Sequence, residues 1–360
     1  MTDKTEISDD LDIRDNETDN PGMSETEKYG LTVVPPVSDL PQRVIMDLAI
    51  TCNLRCPMCP VWGSDDKGAI DSVRGTMDLD HANALLDELE SEGPLVHPAL
   101  YGEPFLAPHF EEVVKNAKSK GMPVAINTNG LALSDRLVQF INDEKIDSIM
   151  FSIDAVTKET LKLVRGVDKL DKIKDAVSRM MKSRGQGEFP RIGVSFTRQE
   201  ENKHELDEFI AYWTKIVDVV RVGNIFKDGF FQNIPISKDR KPCPVLYKTM
   251  PVHNDGTVTI CCLDSFRETN VGNVFEDGVR GVWQGEKFQE VRRLHEEGRW
   301  DEVPICKDCN GWAQYEYAEE VTDELLIRRS PEFTYYNRLE RLKNWSGRLM
   351  GGHTTEETHT

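Results

Sequence analysis

Seven of the eight cysteines fall into two groups with the spacing of metal ligands. The first group is a CxxxCxxC run behind a short apolar stretch and consists of Cys52, Cys56 and Cys59. The second group lies in the last third of the chain and consists of Cys243, Cys261, Cys306 and Cys309. Four thiolates fill a 4Fe–4S cluster, whereas three leave one iron open, as in catalytic metal sites. The sequence therefore predicts one reactive and one closed cluster.

Disulfides and zinc are the alternative uses of such cysteines. A disulfide framework is not expected, because the spacings are those of metal sites and no secretory signal peptide precedes them. For the first group, zinc lacks a fourth ligand, since the nearest histidine after Cys59 is His81 at the start of a helix. For the second group zinc stays an open alternative, because Cys306-x-x-Cys309 also suits a zinc ribbon.

Composition limits the class of protein. The 360 residues carry 63 acidic and 44 basic side chains, a formal net charge of −19. This balance argues against a nucleic-acid partner, because no basic stripe offers contacts to phosphates. No stretch approaches the roughly 18 apolar residues of a membrane helix, and the N-terminus does not resemble a signal peptide. We expect a cytoplasmic protein without a membrane or nucleic-acid partner.

The main domain is predicted to be α/β. Short β-rich runs alternate with one-sided helical patterns over residues 43–225. Six strands and five helical stretches predict a parallel sheet with right-handed crossovers, either open or a partial barrel. The reactive face of such a sheet is at the carboxyl ends of its strands. Polar residues follow successive strands there, namely the three-cysteine loop, Tyr101-Gly-Glu-Pro104, Asn127-Thr-Asn-Gly130, and Ser152 with Asp154.

The rest of the chain is predicted to form flanking segments. The first 28 residues carry ten Asp and Glu and few apolar residues, which predicts disorder. The dipeptide Asp255-Gly256 between β-forming runs predicts a hairpin. The predicted order is a disordered acidic arm (1–40), the core domain (41–226), a linker (226–240), a cysteine-rich domain (240–315), a helical segment (316–348) and a tail (349–360).

The motifs of the core domain resemble the radical S-adenosylmethionine (SAM) superfamily. The resemblance rests on the three-cysteine run, Gly102-Glu103-Pro104, Asn127-Thr-Asn-Gly130 and Ser152-Ile-Asp154. The second cysteine group resembles the cluster module of the SPASM/twitch subgroup, because twelve residues separate Cys243 from Gly256 and four separate Gly256 from Cys261. No cysteine follows Cys309, so the chain resembles the shorter twitch form with one auxiliary cluster.

This resemblance implies a fold, cofactors and a reaction. The fold would be a partial (β/α)6 radical SAM barrel with a C-terminal twitch domain made of a β-hairpin and a helix. The cofactors would be two 4Fe–4S clusters and SAM, which chelates the open iron of the first cluster. SAM would be cleaved reductively to a 5′-deoxyadenosyl radical that abstracts hydrogen from an unactivated C–H bond, so the cofactor supplies the hard step. An external one-electron reductant such as flavodoxin or ferredoxin would supply the electron.

The resemblance also assigns contacts to SAM. Glu103, next to Gly102, would accept a hydrogen bond from the SAM amino group, and Asn129 belongs to the same site. Ser152 and Asp154 would lie near the ribose or the carboxylate of SAM. Arg165 is either a bidentate partner of that carboxylate or a solvated arginine at a helix end. Two positions depart from the family pattern: Tyr101 replaces the first glycine of Gly-Gly-Glu, and Met58 replaces the aromatic residue before the last cysteine.

Cys262, the eighth thiol, has two interpretations. It neighbours Cys261, and side chains of adjacent residues on a strand face opposite sides, so both thiols do not easily bind one cluster. Cys262 is either a buried apolar thiol or a hydrogen-atom donor, as in radical epimerases that the chain resembles. Epimerisation would use Cys262, whereas dehydrogenation would send the second electron to the auxiliary cluster.

The predicted activity is that of a radical SAM oxidoreductase or epimerase. Only about forty residues precede the barrel, which favours a small polar substrate, such as a carbohydrate or aminocyclitol, over a peptide. A peptide epimerase or maturase of the same superfamily is the alternative. A non-catalytic iron–sulfur electron carrier is the alternative from another class of protein.

Overall fold

The computed structural model describes residues 37–234, 240–312, 318–330 and 332–342. The predictions for the tail and for all but the last four residues of the acidic arm therefore lie outside the described residues. No helix in the described ranges is long and apolar enough to cross a membrane.

Six parallel strands build the main domain. Strand β1 pairs with β2, strands β3 to β6 pair in chain order, and an isolated parallel bridge between Val96 and Val124 connects the two sets. This order confirms the predicted partial (β/α)6 barrel. The strands are β1 (Arg43–Met46), β2 (Leu95–His97), β3 (Ala125–Thr128), β4 (Ser148–Ser152), β5 (Arg191–Arg198) and β6 (Val219–Asn224).

Seven helices connect these strands. Several begin at a side chain that caps the free backbone amides: Ser134 accepts a hydrogen bond from the amide of Leu137, and Thr157 accepts one from Thr160. The helices are α1 (Lys67–Val73) and α2 (Leu79–Leu89) before β2, α3 (Phe110–Ser119) before β3, α4 (Asp135–Asp143) before β4, α5 (Lys158–Arg165) and α6 (Leu170–Arg184) before β5, and α7 (Leu206–Trp213) before β6.

Alternation along the strands separates an outer face from an inner one. On β1, Val44 and Met46 are fully buried in the hydrophobic core beneath the helices. Arg43 and Ile45 point to the other side and stay partly exposed. The inner face of the sheet therefore lines a space that solvent reaches.

A C-terminal module extends the sheet beyond β1. Strand β9 (Thr249–Val252) pairs parallel to β1, and β10 (Thr257–Thr259) returns antiparallel to β9. The predicted hairpin is confirmed, with Gly256 at a φ of 83° in its turn. The module also contains α8 (Val245–Lys248), β11 (Asn270–Asn273), α9 (Val274–Trp283) and α10 (Glu286–Glu296). Its buried residues join the same hydrophobic core as those of the barrel.

The predicted helical segment over 316–348 is wrong within the described residues. Strands β12 (Ala318–Val321), β13 (Leu325–Arg329) and β14 (Phe333–Arg338) form an antiparallel extension, and only α11 (Leu339–Leu342) is helical. Strand β14 pairs with β6 and thereby covers a sheet edge whose amides would otherwise lack partners. The charges that indicated a helix instead pair across the strands, as Glu320 and Arg329 do at 2.5 Å.

The predicted linker is also partly wrong. Strands β7 (Phe226–Lys227) and β8 (Phe230–Phe231) form a short hairpin. The side chain of Asn310 exchanges hydrogen bonds of 2.7 and 2.9 Å with the backbone of Phe231. This segment is thus tied to the loop of the second cysteine group.

Candidate active site and second cysteine site

The first three cysteines lie in a tightly wound loop after β1. The amide of Cys59 donates to the carbonyl of Cys56 at 2.9 Å, and Gly63 donates to the carbonyl of Cys59 at 2.9 Å. A Cβ atom on Gly63 would lie 2.5 to 2.7 Å from three carbonyl oxygens of the loop. Only glycine allows the loop to close so tightly.

Every sulfur in this loop faces an N–H donor. The amide of Leu54 lies 3.4 Å from Cys52 Sγ, and the amide of Trp62 lies 3.3 Å from Cys59 Sγ. The guanidinium of Arg165 lies 3.8 Å from Cys56 Sγ. Burial raises the pKa of Cys52 to about 11 and also raises that of Cys56, so both thiols are protonated without a metal. Three thiols with N–H donors fit the thiolate ligands of an iron–sulfur cluster, whose sulfurs accept such bonds.

Glu103 is a buried carboxyl beside this loop. One of its oxygens accepts from the Thr128 hydroxyl at 2.6 Å, and the other accepts from the backbone amide of Asn129 at 2.9 Å. Its own amide donates to the carbonyl of Thr51 at 2.8 Å. Burial raises the pKa of Glu103 to about 7 despite these bonds. A Cβ atom on Gly102 would lie 2.0 Å from the carbonyl oxygen of Ala49, so the preceding position requires glycine.

Asn129 connects Glu103 to the cysteine loop. Besides the bond of its amide to Glu103, its side-chain nitrogen donates to Asn53 at 2.7 Å and lies 3.9 Å from Cys52 Sγ. Its side-chain oxygen accepts from the amide of Leu131 at 2.9 Å. The loops after β1, β2 and β3 therefore form one hydrogen-bonded unit, as predicted from their place at the strand ends.

Asp154 and Arg165 form a buried pair after β4. Asp154 is fully buried, and one oxygen accepts from Arg165 Nε at 2.6 Å while the other accepts from the amide of Thr197 at 2.7 Å. Arg165 is the last residue of α5, and its side chain is only 14% exposed. Arg165 is therefore not a solvated helix-end arginine. Asp154 has both oxygens engaged and orients Arg165, whereas Ser152 faces the barrel interior.

Tyr101, which departs from the family pattern, joins the two cysteine sites. Its carbonyl accepts from the indole nitrogen of Trp62 at 3.1 Å, next to the first cysteine loop. Its hydroxyl donates to the carbonyl of Cys262 at 2.6 Å, next to the second group. Met58, the other departure, contacts the Gln199 amide nitrogen at 3.3 Å through its sulfur.

The four cysteines of the second group line one cavity. The remaining lining is apolar apart from Arg240 and His295. Burial raises the pKa of Cys306 to about 12, and it also raises the pKa values of Cys243 and Cys309. Within the described ranges, no three cysteine, histidine or carboxylate side chains converge as one metal ion would require. A four-iron cluster is larger than one ion, so thiols spread around a cavity fit a cluster better than zinc.

Cys262 does not line this cavity, although its neighbour Cys261 does. The hydrogen bond with Cys261 and the positive charge of Arg43 on β1 lower the pKa of Cys262, and the Cys262 thiol in turn helps to raise the pKa of the buried Glu332. The two adjacent thiols still interact, because a hydrogen bond between them raises the pKa of Cys261 and lowers that of Cys262. Both follow the end of β10 at Thr259, so the alternation expected for a strand does not apply to them.

Sequence reasoning missed several residues of the two sites. Arg240 donates to the carbonyl of Cys306 at 2.7 Å and stacks over Trp300, so it brings a positive charge next to the second group. Glu332 is buried near Cys262, and one of its oxygens has no hydrogen-bond partner. Glu332 lies far from the cysteines in sequence, and Arg240 lies in the segment without periodicity that precedes Cys243. Gly63 alone had a signal, since a glycine closely follows the CxxxCxxC run.

Comparison with known families decides between these uses of the cysteines. Residues 48–212 match the radical SAM superfamily, and residues 243–310 match SPASM, an iron–sulfur cluster-binding domain. The two matched segments cover both cysteine groups and well over half of the chain. The chain belongs to the radical SAM superfamily. Its cofactors are SAM and iron–sulfur clusters, including an auxiliary cluster in the SPASM domain, and the open zinc alternative is set aside.

Three similar proteins place this radical SAM chain among varied relatives. The tungsten-containing aldehyde ferredoxin oxidoreductase cofactor-modifying protein of Pyrococcus furiosus is 24% identical over 315 residues, which cover 74% of this chain and 86% of that protein. The crystal structure of BtrN in complex with AdoMet and 2-DOIA has a TM-score of 0.52 and 20% identity, and the match covers 75% of this chain and 93% of BtrN. SuiB of Streptococcus suis, bound to precursor peptide SuiA, has a TM-score of 0.56 and 15% identity over 74% of this chain and 69% of SuiB. The two structural likenesses support the fold alone.

The carbonyl cradle around Gly63 yields a test of the first site. We expect Gly63→Ala to displace the cysteine loop and to remove about half of the iron after anaerobic reconstitution, since one of two four-iron clusters is lost. Iron and sulfide assays with electron paramagnetic resonance of the reduced protein measure this loss. The control is Gly281→Ala in α9, where an added Cβ would meet its nearest atom at an ordinary 3.4 Å. Full iron content in Gly63→Ala would contradict the role of this loop.

Proposed function

We propose that this radical SAM enzyme cleaves SAM reductively and abstracts a hydrogen atom from a small polar substrate in the barrel interior. The outcome would be epimerisation or dehydrogenation of a molecule similar to a carbohydrate or an aminocyclitol. The observation that carries the proposal is the hydrogen-bonded unit of the three-cysteine loop, Glu103 and Asn129 at the carboxyl ends of the strands. An electron carrier has no use for a buried carboxyl poised beside an incomplete set of cluster ligands.

The cysteines divide into two ligand sets in this proposal. Cys52, Cys56 and Cys59 hold the cluster that binds SAM, and the four cysteines of the second cavity saturate the auxiliary cluster. When bound, SAM and its cluster supply a 5′-deoxyadenosyl radical. The protein adds N–H donors to each sulfur of the first set, which stabilise the thiolate charge. A flavodoxin or ferredoxin would deliver the electron.

Four residues would hold SAM directly. Glu103 has lone pairs left after its bonds to Thr128 and Asn129, so its carboxylate can accept from the SAM amino group. Gly102 has no side chain, which would let the backbone approach SAM, and Ser152 faces the same interior space. Arg165 keeps nitrogen atoms beside Cys56 for the SAM carboxylate, and Asp154 orients it rather than touching SAM.

The substrate class rests on the chemistry of the interior and on the relatives. Hydroxyl groups of Ser152, Ser195 and Thr197 lie on the inner face, and polar groups of this kind suit a hydroxylated small molecule. The relative from P. furiosus is named for modifying a cofactor, which also favours a small substrate. A peptide epimerase or maturase is the second candidate, because SuiB binds a precursor peptide on a similar fold.

Reductive cleavage of SAM is the first test. We expect the reconstituted protein, incubated anaerobically with SAM and dithionite, to release 5′-deoxyadenosine detectable by liquid chromatography. Changing Cys52, Cys56 and Cys59 together to Ala should abolish the release and halve the iron, while Cys262→Ala should retain both. A fully reconstituted wild-type protein that releases none would support the electron carrier instead.

The role of Glu103 has its own test. Glu103→Ala removes a charge-assisted hydrogen bond worth about 1.5–3 kcal/mol, so the affinity for SAM should fall roughly 10- to 150-fold. Anaerobic calorimetry with SAM measures this affinity, and iron content should stay unchanged. Glu103→Gln keeps the size of the side chain and one accepting oxygen but removes the charge. Glu112→Ala on the exposed side of α3 is the control. An unchanged affinity in both Glu103 variants would show that this residue does not bind SAM.

Cys262 distinguishes epimerisation from dehydrogenation. If the enzyme is an epimerase, Cys262→Ala should still cleave SAM, yet solvent deuterium should no longer enter the product, because the donor thiol is missing. If the enzyme is a dehydrogenase, wild type and variant should give the same product without solvent deuterium at the reacting carbon. Mass spectrometry of products formed in D₂O separates these outcomes. Loss of the auxiliary cluster in Cys262→Ala would instead make Cys262 a ligand and refute both versions.

A further inference from the structure

The inner face of the barrel carries positive charge in a strongly acidic protein. The net charge of the whole chain is −19. The register of β1 to β6 nevertheless puts Arg43, Arg191 and Arg221 on the inner face of these six strands, together with His97, and puts no aspartate or glutamate there. The positive charge of the inner face is therefore not a consequence of the overall composition, which is acidic.

The neighbours of Arg221 on the inner face of the barrel follow from the strand register. Ser152 on β4, Ser195 on β5 and Arg221 on β6 are direct partners and form one row. Met150, Gly193 and Val219 form the next row toward the amino ends of the strands. A Cβ on Gly193 would lie 2.6 Å from Val219 and 2.8 Å from Met150, so glycine lets these apolar side chains meet. These apolar side chains adjoin the row of Arg221 and the serines on the inner face.

Arg43, His97 and Arg221 converge from three different strands. Burial and, with it, the positive charges of Arg43 and Arg221 lower the pKa of His97 to about 3. Both arginines are therefore close to the neutral imidazole, which can still donate one N–H. The charge of Arg43 also acts on Cys262.

Neither Arg43 nor Arg221 has an ion-pair partner among the described residues. Arg221 lies over the ring of Phe333, 5.4 Å from its centroid, and its guanidinium makes no hydrogen bond within the part of the chain that the structure describes. By contrast, Arg191 on the same face bonds to the side chain of Asn337. Burial raises the pKa of Glu332 well above its usual value and the nearby charge of Arg221 lowers it, yet these two side chains form no salt bridge. Two partly exposed guanidinium groups on the inner face, without ion-pair partners in the described ranges, are an incomplete anion site.

We propose that Arg43 and Arg221 bind an oxyanion of the substrate, either a carboxylate or a phosphate ester. This inference rests on the proposed function and narrows its substrate class to anionic molecules, such as sugar acids or sugar phosphates. The planar guanidinium forks match the oxygens of both groups, and His97 adds one neutral donor. The serines in the row of Arg221 then face the hydroxylated part of the molecule.

The test measures anion binding to the SAM-loaded, reconstituted enzyme. The thermal midpoint is followed with increasing inorganic phosphate or malonate at an ionic strength kept constant with chloride, since a ligand of the folded state raises the midpoint. We expect a saturable rise in the wild type with at least one of the two anions. The apparent affinity should fall about tenfold or more in Arg43→Gln and in Arg221→Gln, and Arg221→Lys should restore part of it. A saturable rise with phosphate alone indicates a site for a phosphate ester, a rise with malonate alone indicates a site for a carboxylate, and a rise with both indicates a site that accepts either oxyanion.

Arg136→Gln is the matched control, because this arginine is 72% exposed on α4 and forms a surface ion pair with Glu111. Anion effects equal to those of chloride in the wild type would overturn the proposal, whatever the variants do. Equal anion binding in wild type, Arg43→Gln and Arg221→Lys would overturn it even if Arg221→Gln failed to fold. SAM cleavage is assayed in the same preparations, so cleavage without anion binding would refute the anion site and leave the proposed function intact.

Discussion

One buried carboxyl, Glu103, joins the three loops on which the active site depends. Its oxygens accept from Thr128 and Asn129 after β3, and its amide donates to Thr51 before the first cysteines. The side-chain nitrogen of Asn129 in turn contacts Cys52 Sγ. Burying a carboxyl costs free energy unless hydrogen bonds compensate, and here those bonds also fix the position of the cysteine loop. The group that would bind SAM is thus held by the framework that holds the cluster ligands.

The parallel pairing of β9 with β1 makes the second cysteine site part of the same body. Because the C-terminal module and the barrel share one hydrophobic core, the auxiliary cluster has a fixed place relative to the barrel. Tyr101 adds a direct connection between the SAM motif and the backbone of Cys262. A rigid arrangement of this kind suits electron or hydrogen-atom transfer, because both depend steeply on distance.

Charge is distributed unevenly over the molecule. The chain is strongly acidic as a whole, which keeps such proteins apart in solution through mutual repulsion. The barrel interior is the opposite, since Arg43 and Arg221 face it without carboxylate partners in the described part of the chain. An unpaired charge in a partly enclosed space costs free energy, so its retention is most simply understood through a ligand of opposite charge. Glu332, buried at the edge of this space, adds a further polar group that the fold does not satisfy.

The sequence by itself determined the features that are local. Cysteine spacing, the Gly102-Glu103 motif, the Asp255-Gly256 turn and the strand–helix alternation all depend on neighbouring residues. The alternation and the turn agree with the structure, and the cysteine spacing agrees with the two family matches. The tertiary structure decided what depends on contacts between distant segments. Charged residues over 318–338 indicate a helix in sequence, whereas in the structure they pair with the edge of β6. Sequence leaves Arg165 open between a carboxylate partner and a solvated arginine, and only the fold brings it to Cys56. The convergence of Arg43, His97 and Arg221 is likewise invisible in sequence, because only strand register brings them to one face.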